Sequence, residues 1–187
     1  MIDFPGKVAC VIFTPGCNFR CPFCHNPEFV LPELLKNSIN SLISEEAFFN
    51  FLDKRKWMLE GISICGWEPT LQKDLLLFCK KLKQMGFAVK LDTNGRNPEI
   101  IKQLIEDNLV DYIAMDIKNS IWNFSKVVWI EVDEKPYLES IEILLNSDID
   151  YEFRTTVIKN VHSKEDIENI TKYISWAKNY YIQNFKK

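Results

Sequence analysis

Lys7-Val-Ala-Cys-Val-Ile-Phe13 leads through Thr14-Pro15-Gly16 into Cys17-Asn-Phe-Arg-Cys21-Pro-Phe-Cys24. The first string is an unbroken apolar run bounded by Pro5-Gly6 on one side and Thr14-Pro15-Gly16 on the other. Short apolar runs between turn residues are the mark of strands buried on both faces, as in parallel sheets. Similar strands read at Gly61 to Cys65, Phe87 to Asp92, Tyr112 to Asp116, Tyr151 to Val157 and Tyr181 to Phe185. Helical patterns fill the gaps. Ser44-Glu-Glu-Ala supplies an N-cap followed by acids, and Gln72 to Met85 carries leucines at helical spacing and stops at Gly86. Pro98 starts a helix reaching about Asn108, Pro136 starts one reaching Asn146, and Ser163-Lys-Glu-Asp-Ile caps a last one to about Lys178. This alternation, with short loops, predicts an α/β fold: a partial parallel (β/α)6 barrel with right-handed crossovers. Residues 119–134, with their tryptophans and β-branched side chains, suggest a short strand or lid and receive no element.

At 187 residues the chain suits one domain spanning 1–187. Hydrophobic residues make up 47% and charged residues 26%, which fits a packed core and excludes a disordered chain. The net charge of −3, with no dense run of lysine and arginine, argues against a nucleic-acid partner. No apolar stretch approaches the ~18 residues of a membrane span. The start, Met1-Ile-Asp-Phe-Pro-Gly-Lys7, lacks the basic and apolar regions of a signal peptide, so a cytoplasmic protein with no membrane partner is expected.

Six cysteines could form three disulfides, but Cys17, Cys21 and Cys24 crowd together and the rest sit in apolar segments. Metal ligation in a reducing compartment fits better. In parallel α/β folds the loops leaving the C-terminal ends of strands line the active site, and this triplet follows the first strand directly. Three thiolates with no fourth cysteine nearby leave a position for a reacting molecule, whereas closed structural sites use four ligands. His25 could supply a fourth nitrogen, and a tri-cysteine zinc knuckle or three unrelated buried cysteines remain as plainer readings. At other strand ends, Asp92, Thr93, Asp116 and Lys118 are polar groups appended to apolar strands, where burial without partners is costly, so they are expected to face a ligand. Asn94-Gly95 also reads as a turn. Cys65 reads as a small buried residue and His162 as a surface loop residue.

The triplet, with Phe23 as the aromatic before the last cysteine, resembles the signature of the radical S-adenosylmethionine (SAM) superfamily. The resemblance implies that the three thiolates bind three irons of a 4Fe-4S cluster while the amino and carboxylate groups of SAM chelate the fourth. Cys65-Gly66-Trp67-Glu68-Pro69 is similar to the family's Gly-Gly-Glu-Pro turn, whose backbone meets the cofactor's amine, with Glu68 fixing the turn. Trp67 replaces the second glycine: either its backbone is ordinary and the indole points away, or cofactor binding is weakened.

Lys90-Leu-Asp-Thr-Asn-Gly95 and Asp111-Tyr-Ile-Ala-Met-Asp-Ile-Lys118 resemble the activating enzymes of glycyl-radical proteins. That likeness implies that Asp92, Thr93 and Asp116, with the Ala114 carbonyl, surround the SAM carboxylate and can hold a monovalent cation, with Asn94 also among the cofactor-binding residues and Lys118 salt-bridged nearby. It likewise places Arg154 near the cofactor, Thr156 near its adenosyl group and Gln183 within reach of adenine. His25-Asn-Pro-Glu28, Phe4-Pro-Gly-Lys7, Glu152 to Thr156 and Ile182-Gln-Asn-Phe185 narrow the resemblance to the activases of anaerobic ribonucleotide reductase and pyruvate formate-lyase, the former above all. What this implies is an anaerobic oxidoreductase that abstracts hydrogen from a glycine of an anaerobic ribonucleotide reductase-like partner and draws its electron from a flavodoxin or ferredoxin. Two alternatives stand beside it: a small-molecule radical SAM enzyme akin to 7-carboxy-7-deazaguanine synthase, and a metal-binding scaffold that has lost turnover.

Overall fold

Side chains alternate between the two faces of a strand, and on the strand Ala88–Thr93 that alternation sets Val89 and Leu91 apart from Lys90 and Asp92. In the computed structural model, which describes residues 3–24, 27–31, 33, 42–131 and 133–185, both sets are buried or nearly so. The apolar set packs into the main hydrophobic core, together with Ile62, Ile64, Ile113, Met115, Tyr151 and Phe153 of neighbouring strands and with residues from the helices. The charged set faces the other way.

The strands are β1 (Ala9–Thr14), β2 (Gly61–Gly66), β3 (Ala88–Thr93), β4 (Tyr112–Asp116), β5 (Asp150–Val157) and β6 (Tyr180–Asn184), and they form one parallel sheet in chain order. Register pairs Ser63 with Lys90, Asp92 with Ala114, and Asp116 with Arg154, so chemically distinct residues from remote parts of the chain lie side by side. The helices whose bounds lie among the described residues are α1 (Glu45–Arg55), α2 (Leu75–Gln84), α3 (Pro98–Glu106), α4 (Phe124–Val128), α5 (Lys135–Leu145) and α6 (Lys164–Tyr173). Ser44 caps α1 by accepting from the Ala47 amide, and Ser163 and Asp166 form a reciprocal capping box on α6. Pro sits in the first turn of α3 and of α5. The expected parallel (β/α)6 architecture is what the chain adopts.

Three expectations need correction. β1 is an edge strand, and every one of its residues keeps some exposure, with Phe13 67% exposed. An apolar run signals low polarity on both faces, not the layers that cover them. Helix α6 ends at Tyr173, short of Lys178, because Ile174 leaves helical geometry and a turn delivers the chain to β6. The segment expected to be a strand or lid is helical instead: a 3-10 turn at Ile121–Asn123 runs into α4, which buries Phe124, Val127 and Val128 against the core. Trp129, in the left-handed conformation, ends it.

Candidate active site

The loop after β1 is stitched to its neighbours by main-chain hydrogen bonds. The Gly16 amide donates to Phe29 O at 2.8 Å and the Cys17 amide to Val30 O at 3.4 Å, which folds the loop back on itself. Gln72 Nε2 donates to Pro15 O, and the amides of Trp67 and Glu68 donate to Thr14 O and Gly16 O. The Arg20 amide donates to Val128 O, tying the loop to α4. Cys17, Cys21 and Cys24 are therefore carried on a braced loop. All three are free thiols, and all three line one cavity of about 320 Å3 at the C-terminal ends of the strands.

Within that cavity the Cys17 sulfur accepts from the Phe19 amide at 3.3 Å and from Asn94 Nδ2 at 3.8 Å. Burial raises the Cys17 thiol, and it pushes Cys21 up to about 11, while the Lys118 ammonium pulls both the other way. Among the described residues no group of three or more His, Cys, Asp and Glu side chains could hold a single metal ion. Three thiols carried on one loop are a donor set of the kind an iron-sulfur cluster takes. His25, the candidate fourth ligand, and Asn26 lie outside the described residues.

The turn after β2 is built on Gly66, whose φ is +121° and whose added Cβ would lie 2.3 Å from Thr14 O. Only glycine fits there. Trp67 adopts no left-handed backbone, and its indole stacks on Phe29 with ring centroids 4.8 Å apart. Its backbone is ordinary, as in the first part of the first alternative, and the residue lines the cavity. Glu68 is fully buried; its carboxylate accepts from the Thr70 amide and hydroxyl, from Thr93 Oγ1 at 2.7 Å and from the Asn94 amide at 2.7 Å. Burial raises its pKa and these donors pull it back. Glu68 thus locks the β2 turn to the β3 turn from beneath, and it lies outside the cavity lining.

Across the cavity stands a network of alternating charge. Asp92 pairs with Lys90 and with Arg154 (3.3 Å); Asp116 pairs with Lys118 at 2.8 Å and with Arg154 Nε at 3.2 Å. Burial alone would raise the Asp116 carboxyl, but Lys118 and Arg154 override it and hold it down at about 2. The same pairing raises Lys118 and Arg154 above their ordinary values against the opposing effect of burial. Phe23, Gly66, Trp67, Asp92, Thr93, Asn94, Asp116, Lys118, Arg154 and Thr156 all join the three cysteines in lining the cavity.

Other expectations shift. Cys65 is no core residue: it lines the cavity, and burial together with the Asp92 charge pushes its thiol up to about 11. Ala114 lies mid-strand among Phe4 and Tyr112, away from the cavity lining. Gln183 is exposed on edge strand β6, and it is Phe185 that reaches the cavity, meeting Phe23 edge-on at 6.3 Å. His162 is half-buried and hydrogen-bonded at both ring nitrogens. Lys90, 2% exposed, joins the charged network although it is no expected site residue; charged residues two apart on an apolar strand, as in Lys90/Asp92 and Glu152/Arg154, signal a shared polar face.

The family model described as the radical SAM superfamily matches residues 11–174, which run from within β1 through the cysteine loop and strands β2 to β5. The chain belongs to the radical SAM superfamily. A Methanocaldococcus jannaschii protein assigned by inference as a glycyl-radical enzyme activating enzyme is 35% identical over 99% of this chain and 76% of its own length, which places this radical SAM chain in the activating-enzyme family. The pyruvate formate-lyase-activating enzyme of Listeria monocytogenes is 33% identical over 63% of the chain and 49% of its own length. Among solved structures, Streptococcus suis SuiB superposes with a TM-score of 0.71 at 16% identity over 99% of this chain and 41% of SuiB, a likeness of fold. This chain is thus an enzyme of radical chemistry, and the family implies a 4Fe-4S cluster and SAM. Among the described residues, no helix is long and apolar enough to cross a membrane.

Proposed function

We propose that this enzyme installs a glycyl radical on a larger partner of the anaerobic ribonucleotide reductase type, taking its electron from a flavodoxin or ferredoxin. The observation that carries the reading is the convergence, in one cavity, of three free cysteines from a single loop with Asp92, Asp116 and Arg154 from three strands and Lys118 from just beyond one of them. The three cysteines would hold the 4Fe-4S cluster, which supplies one-electron reductive cleavage of SAM and with it a carbon-centred radical able to take hydrogen from a glycine Cα.

The chain's own residues do the rest. Gly66 brings bare backbone to the cavity, where a main-chain carbonyl can accept from the cofactor's amine. Lys118 and Arg154 supply fixed positive charge for its carboxylate, and their pairing with Asp116 and Asp92 keeps them from swinging into solvent. Thr156 lies on the same wall for the adenosyl group. Each aspartate is already engaged in two ion pairs, so a monovalent cation there would share carboxylates whose charge is largely matched. Phe13, Phe19, Phe23 and Phe185 line the remaining wall with apolar surface, which limits water around a reactive radical.

The test is anaerobic reconstitution followed by reduction and incubation with candidate reductases. A glycyl-radical doublet in electron paramagnetic resonance, with release of 5'-deoxyadenosine, is the expected result. Nucleoside release with no radical on any candidate would transfer the reading to a small-molecule substrate. One equivalent of zinc and no nucleoside would leave only a metal-binding scaffold.

A further inference from the structure

Beyond β4 the chain is held in a way the reaction described above does not use. The Ile117 amide donates to Arg154 O at 2.7 Å, closing the β4–β5 ladder. Three successive main-chain carbonyls are then each taken by a side chain from a different place. Thr155 Oγ1 of β5 donates to Ile117 O at 2.9 Å, His162 Nε2 meets Lys118 O at 2.7 Å, and the Tyr173 hydroxyl of α6 donates to Asn119 O at 3.2 Å. Thr155 in turn accepts from the Tyr180 hydroxyl at 2.8 Å. The result is a rail of side chains along residues 117–119, and Lys118, the cavity's lysine, is its middle rung.

The imidazole is the informative member. Its Nδ1 lies 3.1 Å from the Ile158 nitrogen, and an amide N–H can only donate, so Nδ1 accepts. The ring hydrogen must then sit on Nε2, aimed at the Lys118 carbonyl. The turn that carries His162 does not need the ring, because the Val161 and His162 amides already close it onto Ile158 O at 3.1 Å each. The ring's outer nitrogen therefore reaches out of its own turn to a residue 44 positions away.

We propose that His162 is a positioning residue for the cavity: by holding the Lys118 carbonyl it fixes the point from which the Lys118 ammonium reaches Asp116 and the cysteine loop. For its consequence on cofactor binding this rests on the functional reading above. A displaced Lys118 loosens its pairing with Asp116 and presents its charge to the amino-acid end of SAM in the wrong place.

The tautomer is read first, by long-range proton–nitrogen NMR of the apoprotein: an unprotonated Nδ1 is expected, and an Nδ1–H ring overturns the proposal. Then His162→Phe, which keeps a ring but neither hydrogen bond, is compared with His162→Gln, whose amide offers one donor and one acceptor. SAM binding to the reconstituted protein should weaken about tenfold in His162→Phe, with KM rising more than kcat falls, and His162→Gln should recover most of it. Equal binding by both variants and wild type, or equal loss in both, overturns the proposal. If His162→Phe does not fold, the tautomer decides. If wild type binds no SAM, the functional reading fails, while the tautomer still decides the contact between His162 and Lys118.

Discussion

The cysteine loop and the charged network face each other across one cavity but are made in opposite ways. The loop places its three functional atoms within one short stretch of chain and is braced mainly by backbone hydrogen bonds. The network draws Asp92, Asp116 and Arg154 from three strands and is braced by ion pairs between side chains. Function in the loop should be separable from folding, whereas in the network the residues that bind also hold the sheet's inner face together.

Replacing Cys21 should break that comparison most sharply if it is wrong. Cys21→Ala is expected to abolish iron retention and 5'-deoxyadenosine release while shifting apoprotein stability by no more than about 1 kcal/mol, measured by urea unfolding alongside iron analysis. A stability loss several times larger would mean that the loop is structural. Gly66→Ala should do the reverse: its Cβ would clash with the Thr14 backbone, and the expected cost is roughly 3 kcal/mol of stability, with cofactor affinity lost as well. Calorimetric melting of the apoprotein checks it.

The network's contribution has a pH signature. Asp116 is depressed to about 2 and Asp166 is depressed as well; Asp166 is held by the Ser120 hydroxyl, Asn123 Nδ2 and the Ser163 amide and hydroxyl. A depressed carboxylate contributes stability that is whole above its unfolded value, about 3.9, and is lost as pH falls toward the folded value. Stability should therefore fall between about pH 4 and pH 2, and Asp116→Asn should flatten that slope in urea titrations. Glu68 has the opposite sign: its raised carboxyl costs stability when ionised, and that cost is relieved as pH falls through its folded value. The smallest effect is expected at Trp67. Trp67→Gly removes the stacking on Phe29 and should cost about 1 kcal/mol, with SAM affinity changing less than in the His162→Phe variant.

Legibility followed the range over which each feature is made. Cysteine spacing, helix caps and apolar strand runs depend on residues a few positions apart, so β4 is legible at its observed ends and the Ser44 and Ser163 caps are legible as caps. Covering layers are not local, which is why β1 reads as an interior strand and lies at the edge. The helical turns within residues 119–134 are hidden from local pattern for a related reason. Their helical turn is stabilised by burying Phe124, Val127 and Val128 against the core and by the Asp166 carboxylate from α6, while its exposed Trp122 and Trp129 obscure the pattern.

By itself the sequence determined the chemistry on offer: three thiols at fixed spacing, a turn around Gly66, and polar residues at strand ends. Only the tertiary structure decided which groups share a cavity and what charge each carries there. Parallel register sets Asp116 beside Arg154, the β4 exit is fixed by side chains from β5, His162 and Tyr173, and Cys65 turns from the core to the cavity. The physical reason is that spacing along a chain is covalent, whereas neighbours across a sheet and the field they create exist only once the strands have paired.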